Sequence, residues 1–443
     1  MTTSETIPYS PPVTGKREFV EHYGSTLLGQ GLTLGLGILT GILSARILGP
    51  VGRGEYAAIA IWPMGIASFL AFGINQAAVF YLGQRELTAS EGAVALTVIG
   101  LIQSALSVAI GLLVVPIVLA KYSREVQHLG IVFVLLTPAL ILSGYPANLF
   151  QGLQDLLRFN LIRLVAPLTF AAGLLGLYFT HRASLSSVIV SQLAGSVLAL
   201  LMGSTLAWKI LRLHIQWNAM AIPRLLHFGI RIQGLSVATY FNQRIDQLVL
   251  SLFVPPRQLG LYAVAVTLSM AVAVFPQAAG IVAFSKGSSQ LTGDARATIG
   301  VAFRSSLIWL LVCCTLLYAL TPFLIQHVFG RAFYGSVLAC RILLPGALMT
   351  GLSYVLYNAA SALGRPGLSS YAEGTSIVMT AVGLYLLVPH YGYIGAAIVS
   401  SVAYTISFLV MLVLAHRLLG LSLSVLLIGG RHFGEAGSAG LSG

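Results

Sequence analysis

The sequence predicts an all-α membrane protein of about twelve transmembrane helices in two six-helix lobes. Three observations predict this class: the composition, the length of the apolar stretches and an internal repeat. Of the 443 residues, 57% are hydrophobic and only 8% are charged. A soluble protein has no core large enough for so much apolar side chain. The chain is therefore expected to lie in a bilayer.

Apolar stretches long enough to cross hydrocarbon follow one another along most of the chain. A helix needs about 20 residues for one crossing. Twelve such stretches are predicted, at 24–48, 55–82, 91–120, 127–152, 156–180, 184–208, 225–254, 258–285, 297–322, 335–362, 367–389 and 393–416. Their connectors are mostly short, so consecutive helices are expected to run antiparallel in a bundle.

The two ends of the chain are predicted to lie outside the helices. Residues 1–23 are polar, contain three prolines and lack the apolar centre of a cleaved signal peptide. They are expected to form a cytoplasmic tail. Residues 418–443 are expected to form an interfacial segment followed by a flexible Gly/Ser tail.

An internal repeat occurs at the corner between two predicted helices. The stretch ILGPVGRGEYAAIA is echoed by LFVPPRQLGLYAVAV. An offset of 206 aligns Pro50 with Pro256 and Gly54 with Gly260. Taken alone, each corner is typical of an ordinary tight loop. Its repetition indicates that the helices on either side are duplicated.

The repeat divides the chain into two lobes. Each corner lies between the first and second helix of a block of six, and a second echo aligns Asn148 with Asn358 at an offset of 210. The predicted N-lobe covers residues 24–212 and the C-lobe covers 213–417. Because six is even, both lobes enter the membrane from the same side. They are expected to be related by an axis along the membrane normal, with a cavity between them.

Basic residues in the predicted connectors set the orientation. With both termini in the cytoplasm, twelve Lys and Arg residues fall on the cytoplasmic side and seven on the outer side. This is the asymmetry that the positive-inside rule describes. Basic helix ends beside anionic lipid also account for the formal net charge of +12. Nucleic acid is therefore not implied as a partner.

Charged residues predicted at membrane depth include a surplus of arginine. Such charges are costly in hydrocarbon and usually face protein or water. The cations are Arg163, Arg231, Arg244, Arg304 and Arg341, and the acids are Asp246 and Glu373. The surplus suits an anionic passenger such as a pyrophosphate, which guanidinium groups bind bidentately. For each arginine, snorkelling to the headgroups is the alternative.

Helix seven carries the densest polarity. At about 100° per residue, Arg231, Thr239, Asn242 and Asp246 share one face, whereas Arg244 points away from it. Polar positions of other helices complete the predicted lining of a substrate cavity, which is Arg231, Asn242, Thr239, Arg163, Arg304, Asn75 and Gln76. The offset of 210 aligns Arg163 with Glu373, so the lobes are not expected to be chemically interchangeable.

Two further features concern movement between the lobes. Arg46 and Asp246 are predicted at the outer ends of equivalent helices, where a salt bridge between them would close the outer mouth. A local cap or pair is the alternative for the acid. Helix one contains five glycines in GQGLTLGLGILTG. They indicate either close helix packing or a bendable element.

The sequence contains no motif for covalent or nucleotide chemistry. It has no Gly-x-x-x-x-Gly-Lys-[Ser/Thr] loop, no nucleophile–base pair and no metal-ligand spacing. Cys313, Cys314 and Cys340 lie in or beside apolar spans and are expected to be core residues. We therefore expect neither an enzyme nor a cofactor-binding protein.

Several stretches resemble one family. LSARILGPVGRGEYAAIAIWPMGIASFLAFGINQAAV resembles the N-terminal signature of the prokaryotic polysaccharide-biosynthesis membrane proteins. These are lipid-linked oligosaccharide flippases of the multidrug/oligosaccharidyl-lipid/polysaccharide (MOP) exporter superfamily. RIDQLVLSLFVPPRQLGLYAVA is similar to the family's seventh helix and loop. LLPGALMTGLSYVLYNAASALGRPG and LVPHYGYIGAAIVSSVAY are similar to its tenth to twelfth helices.

The resemblance implies a V-shaped, MATE-like fold and a transport function. Its passenger would be an undecaprenyl-pyrophosphate-linked glycan, moved from the inner to the outer leaflet of a prokaryotic cytoplasmic membrane. Its partners would be that lipid-linked glycan, membrane lipids, and a glycan polymerase or glycosyltransferases. Two alternatives stay open. One is a multidrug or cation antiporter of the same superfamily, and the other is a membrane scaffold of a glycan-assembly complex.

Overall fold

A computed structural model gives the fold of the chain and describes residues 16–181, 183–211, 216–280, 292–365 and 367–427. Most of the predicted tails therefore lies outside the described residues. Apart from turns, the described chain is helical, which confirms the predicted all-α class. Nine of its helical segments are long and apolar enough to cross a membrane.

The helices are numbered here in chain order. They are α1 (Lys16–Leu70), α2 (Ile74–Gly83), α3 (Ala89–Val118), α4 (Arg124–Gly152), α5 (Leu156–Thr180), α6 (Leu185–Leu211), α7 (Ala221–Phe253), α8 (Pro256–Met270), α9 (residues 274–280), α10 (Thr292–Leu324), α11 (Ser336–Ala362), α12 (Gly367–Leu419) and α13 (Leu423–Leu427). Short 3-10 turns lie at Ala271–Ala273 and Arg331–Phe333, and a π-helical turn at Ile325–Phe329.

Two of these helices each consist of two helices joined at a glycine. The backbone of α1 leaves helical geometry at Gly49, where φ is 66°, and that of α12 does so at Gly392, where φ is 54°. Glycine adopts positive φ without strain. Pro50 directly follows Gly49, and Pro389 lies three residues before Gly392; both lack the N–H that a continuous helix needs. Two connectors predicted from sequence are therefore sharp kinks.

The structure interrupts two of the predicted spans, and its first helix begins before the first predicted span. The predicted span 55–82 stops at Leu70 and restarts as α2 after positive φ at Phe72 and Gly73. The predicted span 258–285 is interrupted by the 3-10 turn after α8. Both breaks lie within apolar sequence, so hydrophobic pattern alone does not reveal them. In addition, α1 begins at Lys16, within the segment predicted as a polar tail.

The seventh helix is unusual in its polarity. Although α7 has 33 residues, it is not among the nine segments that qualify by composition as membrane spans. Some of its polar residues, such as Asn242 and Asp246, are buried against other helices, whereas Arg231 and Arg244 are exposed. The count of twelve transmembrane helices stays a prediction.

The two copies of the repeated corner pack directly on each other. A Cβ atom added to Gly54 would lie 1.8 Å from the carbonyl oxygen of Pro256. In the same way, a Cβ atom on Gly260 would lie 1.9 Å from the carbonyl oxygen of Pro50. The contact is reciprocal, as expected for two related halves. It joins the lobes, and it requires glycine because backbone touches backbone there.

Two seams run from this corner between the N-lobe helices α1–α6 and the C-lobe helices α7–α13. In the α7 seam, α7 packs along the second half of α1 and along α2. In the α8 seam, the first half of α1 packs against α8. The largest cluster of buried apolar side chains surrounds the corner and includes both lobes, with Ala58, Phe133, Leu259 and Val399 among its members.

We expect Gly54→Ala and Gly260→Ala each to destabilise the protein by about 1–3 kcal/mol, because a methyl group would overlap a carbonyl oxygen of the other lobe. The measurement is the thermal melting of the purified protein in detergent. Gly176→Ala is the matched control, since no atom lies within 4 Å of the added methyl group. Unchanged melting in both corner variants would contradict the reciprocal contact.

Candidate functional site

A cavity of about 360 Å³ lies where α1 meets the C-lobe. Thr33 and Gly37 of α1 form one side, and Thr267 and Gln277 lie on the chain that continues from α8 into α9. The opposite wall comes from α11 and α12 and is rich in hydroxyl groups. Its members are Thr350, Ser353, Tyr354, Tyr357, Tyr404 and Ser407.

One guanidinium and one carboxylate belong to the described lining of this cavity. Arg244 of α7 is exposed, and no hydrogen bond or ion pair joins it to the described residues. Glu373 of α12 is 7% exposed. It accepts a hydrogen bond from the amide of Asn242. The cavity therefore has a cationic side on α7 and an anionic side on α12.

Asn242 is held in one orientation by its neighbours. Its amide nitrogen donates to Glu373, while its amide oxygen accepts a hydrogen bond from the Ser376 hydroxyl at 2.8 Å. Ser376 also lies 3.2 Å from the carbonyl oxygen of Ala403, which lies beyond the α12 kink. The buried glutamate thus depends on contacts between α7 and both halves of α12.

The second buried acid, Asp246, lies within the C-lobe and is not part of the cavity lining. It accepts hydrogen bonds from the hydroxyls of Tyr262 and Ser400, the latter at 3.0 Å, and from the backbone N–H of Gln247 at 2.7 Å. Tyr262 belongs to the repeated corner. Its counterpart Tyr56 donates to Gln192 at 2.7 Å. Each corner tyrosine therefore fixes its corner to its own lobe.

Arg46 reaches across the α8 seam, but its partners are backbone atoms. Its guanidinium donates to the carbonyl oxygens of His327 and Val328, in the π-helical turn after α10. The predicted pair between Arg46 and Asp246 is not formed in this structure, where each group has other partners. As a gate of another conformation, that pair stays a prediction.

A second contact of the same kind lies at the end of α7. The Lys121 ammonium donates to the carbonyl oxygen of Val254 at 2.7 Å, and the Tyr122 hydroxyl donates to that of Ser251 at 3.0 Å. Carbonyl groups at helix C-termini lack helical partners and carry partial negative charge. Burial lowers the pKa of Lys121, so desolvation offsets part of this attraction. We call the donors Arg46, Lys121 and Tyr122, with their carbonyl acceptors, the corner latch.

The far end of the α7 seam is also closed by backbone contacts. The Gln233 amide donates to the carbonyl oxygens of Ser68 and Phe69, at 2.9 and 3.1 Å. These carbonyls lie at the end of α1, where the break before α2 frees them. Beyond the break, a Cβ atom on Gly73 would lie 2.3 Å from the carbonyl oxygen of Gly229. The α7 seam is therefore tight at both ends.

The α8 seam is tight near the corner and open farther along α1. A Cβ atom on Gly41 would lie 2.9 Å from the Thr267 side chain. By contrast, no atom lies within 4 Å of a Cβ atom on Gly31, Gly35 or Gly37. The five glycines of helix one thus do not share one role. Close packing explains Gly41, and Gly29 beside Asn160, whereas Gly37 lines the cavity and Gly31 and Gly35 have open space around an added Cβ atom.

Of the seven predicted lining positions, Asn242 is the one that contributes to the described cavity lining. Arg231 is exposed on α7, and Asn75 and Gln76 are exposed at the start of α2. The Arg163 guanidinium lies 4.9 Å from the centre of the Phe159 ring. Two positions remain, Arg304, which donates to the carbonyl oxygen of Val425 at 2.7 Å, and Thr239, whose side chain lies outside the described residues.

The hydroxyl-rich wall of the cavity and the place of Arg244 in its lining were not predicted from the sequence. Thr350, Ser353, Tyr354 and Tyr357 recur at the i, i+3, i+4, i+7 spacing of one helix face. This hydroxyl stripe was a readable signal for an internal polar surface. Arg244 was predicted to point away from the polar face of helix seven. In the structure, Arg244 and Asn242 of that polar face both line the cavity.

Solved structures with this fold are transporters and flippases. The structure described as lipid II flippase MurJ in an inward closed conformation has a TM-score of 0.74 and 17% identity, covering 93% of this chain and 90% of that chain. An inward-facing multidrug resistance MATE family transporter of the MOP superfamily has a TM-score of 0.71 and 15% identity, covering 88% and 95%. These similarities show that the chain has the same fold as these multi-pass membrane proteins.

The sequence comparison adds the family. The family described as "Polysaccharide biosynthesis protein" matches residues 19–284, which is more than half of the chain. The chain belongs to this family, and the predicted resemblance is confirmed. No curated protein sequence matches the chain. A MOP superfamily transporter from Pyrococcus furiosus, described by the reverse polarity of its binding pocket, shares the fold with a TM-score of 0.55 and 11% identity over 91% and 96%.

We expect Arg46→Ala to loosen the corner latch, because it removes two hydrogen bonds from a charged donor. The reporter is Ile38→Cys in the cavity, in a chain whose three native cysteines are replaced by alanine. A membrane-impermeant thiol reagent added on the corner side should label it roughly tenfold faster.

Arg331→Ala is the matched control for this latch, because Arg331 is an exposed arginine near the same carbonyl groups. It should leave the labelling rate unchanged, and Arg46→Lys should have an intermediate effect. Equal labelling of the Arg46→Ala variant and the unmodified reporter would show that the latch does not hold this mouth closed.

Proposed function

We propose that the protein is a secondary transporter that moves an anionic lipid-linked oligosaccharide, of the undecaprenyl-pyrophosphate type, from the inner to the outer leaflet. The observation that carries this proposal is the exposed Arg244 in a cavity beside an open stretch of the α8 seam. Membership of the polysaccharide-biosynthesis family supports the choice of passenger. The product would serve synthesis of cell-surface polysaccharide.

The cavity supplies a site for the anionic group. The Arg244 guanidinium has its hydrogen-bond donors available to a ligand, since no described residue takes them up. Guanidinium forks match phosphate oxygens in geometry and bind them in pairs. In a cavity within the membrane this attraction is stronger than in water. We therefore propose that the pyrophosphate binds at Arg244. Arg231, nearer the start of α7, is the second candidate for this role.

The open part of the α8 seam supplies a route for the lipid. A polyprenyl chain must stay in hydrocarbon while its charged head moves through protein. Gly37 lines the cavity, and no atom lies within 4 Å of a Cβ atom on Gly31, Gly35 or Gly37 of α1. A head held at Arg244 would thus remain connected to a tail in the bilayer. The tight α7 seam on the other side offers no such gap among its described residues.

The energy for export would come from the membrane potential. Moving one negative charge outward across an inside-negative membrane is favourable by about 2.3 kcal/mol per 100 mV. A passenger with two charges would gain on the order of 5 kcal/mol at that potential. This gain is large enough to drive net export, with or without a coupled ion.

One observation favours a different passenger. Glu373 places a carboxylate in the cavity, and a multidrug or cation antiporter needs such a group to hold a cation. The two functions predict opposite behaviour of Arg244 and Glu373. For a cationic drug, removing the Glu373 charge should abolish transport and removing the Arg244 charge should not.

We expect Arg244→Gln to reduce flipping of a lipid-linked pyrophosphate by about tenfold or more, since charge-assisted hydrogen bonds contribute about 1.5–3 kcal/mol each. Arg244→Lys should keep partial activity, because it retains charge but loses the planar fork. The assay is flipping in proteoliposomes that contain only this protein, normalised to inserted protein.

Arg231→Gln is the comparison variant, because Arg231 lies on the same helix but outside the described cavity lining. A larger loss there than at Arg244 would move the binding site to Arg231. Full activity of Arg244→Gln would contradict the proposed site. Lack of flipping by the unmodified protein would favour the scaffold alternative.

The proposed direction of transport requires both termini in the cytoplasm of a prokaryote. We expect Glu86→Cys, in the turn between α2 and α3, to react with an impermeant reagent only after the cells are opened. Ala183→Cys, between α5 and α6, should react in intact cells. The opposite pattern would reverse the orientation, and equal labelling of both sites in intact cells would contradict the helix arrangement.

Association with glycosyltransferases or a glycan polymerase is part of the proposal.

A further inference from the structure

Glu373 is unusual among the acidic residues because it is buried and yet borders the cavity. Its side chain accepts a hydrogen bond from Asn242, and no described arginine or lysine forms an ion pair with it. The equivalent position of the N-lobe, by the offset of 210, is occupied by Arg163. The C-lobe therefore has a carboxylate at this position, whereas the N-lobe has a guanidinium at the equivalent position.

The surroundings of Glu373 are hydroxyl groups and aromatic rings. The Tyr357 hydroxyl lies 3.0 Å from that of Ser407, and the Gln243 amide donates to the Tyr354 hydroxyl at 3.2 Å. All four side chains line the same cavity. Hydroxyl groups both donate and accept, a carboxylate only accepts, and a tyrosine adds an apolar ring to its polar tip. This combination matches a polyhydroxylated ring.

The cavity lining contains one cationic and one anionic side chain, and its volume limits what it can hold. Arg244 is the guanidinium of the described lining and Glu373 is its carboxylate, so each of the two side chains favours a partner of the opposite charge. A volume of about 360 Å³ is near the lower end of small-molecule pockets, which hold roughly 300–1,000 Å³. A cavity of this size accommodates one sugar unit beside the pyrophosphate. The other sugars of an oligosaccharide must lie outside it.

We propose that Glu373 and its hydroxyl neighbours form a subsite for a neutral or amino-substituted sugar, and that this subsite excludes sugars that carry a carboxylate. The inference rests on the proposed function. A neutral sugar donates its hydroxyls to Glu373, and an ammonium group would be attracted to it. A uronic acid would place a second negative charge beside a buried one. Repulsion between such charges is only weakly screened in a site of low dielectric constant.

The test compares two water-soluble analogues with the same short prenyl pyrophosphate, one carrying glucose and the other glucuronic acid. Their affinities for the detergent-purified full chain are measured at pH 8 from ligand-induced thermal stabilisation. The unmodified protein should bind the glucose analogue at least about tenfold more tightly. In Glu373→Gln the ratio should approach one, whereas Glu373→Asp should preserve most of it.

The ratio separates selectivity from general damage, because loss of folding or of ion coupling would weaken both analogues alike. Glu86→Gln removes an exposed acid away from the cavity and should leave the ratio unchanged. A ratio near one in the unmodified protein would overturn the subsite, as would a ratio unaffected by Glu373→Gln. If neither analogue binds the unmodified protein, the proposed function itself fails. Tight binding of both without discrimination would leave that function standing and remove only the subsite.

Discussion

The reciprocal contact between the two repeated corners is the constraint on which the rest of the structure depends. Gly54 meets the carbonyl of Pro256, and Gly260 meets that of Pro50. Backbones can approach this closely only where side chains are absent. The contact fixes how α1 and α8 cross at the corner. On one side of this crossing α7 packs along α1 and α2, and on the other side α8 packs against the first half of α1.

Beyond the buried apolar cluster, several polar contacts between the lobes are made by side-chain donors to backbone carbonyl oxygens. Arg46, Lys121 and Gln233 each bind carbonyl oxygens at helix ends of the opposite lobe. Among the described residues, no ion pair joins the lobes. A buried ion pair would leave an uncompensated charge when the lobes separate. A helix-end carbonyl can instead return to water or to a neighbouring donor. Contacts of this kind suit an interface that must open and close.

The sequence predicted the fold well because its signals are local. Apolar length marked most spans, and the repeat marked the corner at Gly54 and Gly260. The breaks at Phe72 and after α8 were missed because they depend on contacts with distant backbone, such as that of Gly73 with Gly229. The partners of Arg46 were missed for the same reason. Carbonyl acceptors have no sequence signature, so charge pairing pointed to an acid instead.

The cavity was the part least predictable from the sequence, because an internal repeat indicates similar lobes and does not indicate where the lobes differ. Duplication makes the corners alike, but it does not reveal which lobe supplies the polar groups of a cavity. The described cavity draws most of its polar groups from the C-lobe, including Arg244 and Glu373. A symmetric cavity would offer a passenger with one charged end no preferred orientation. Divergence of equivalent positions, as at Arg163 and Glu373, is what allows a duplicated fold to hold such a passenger in one direction.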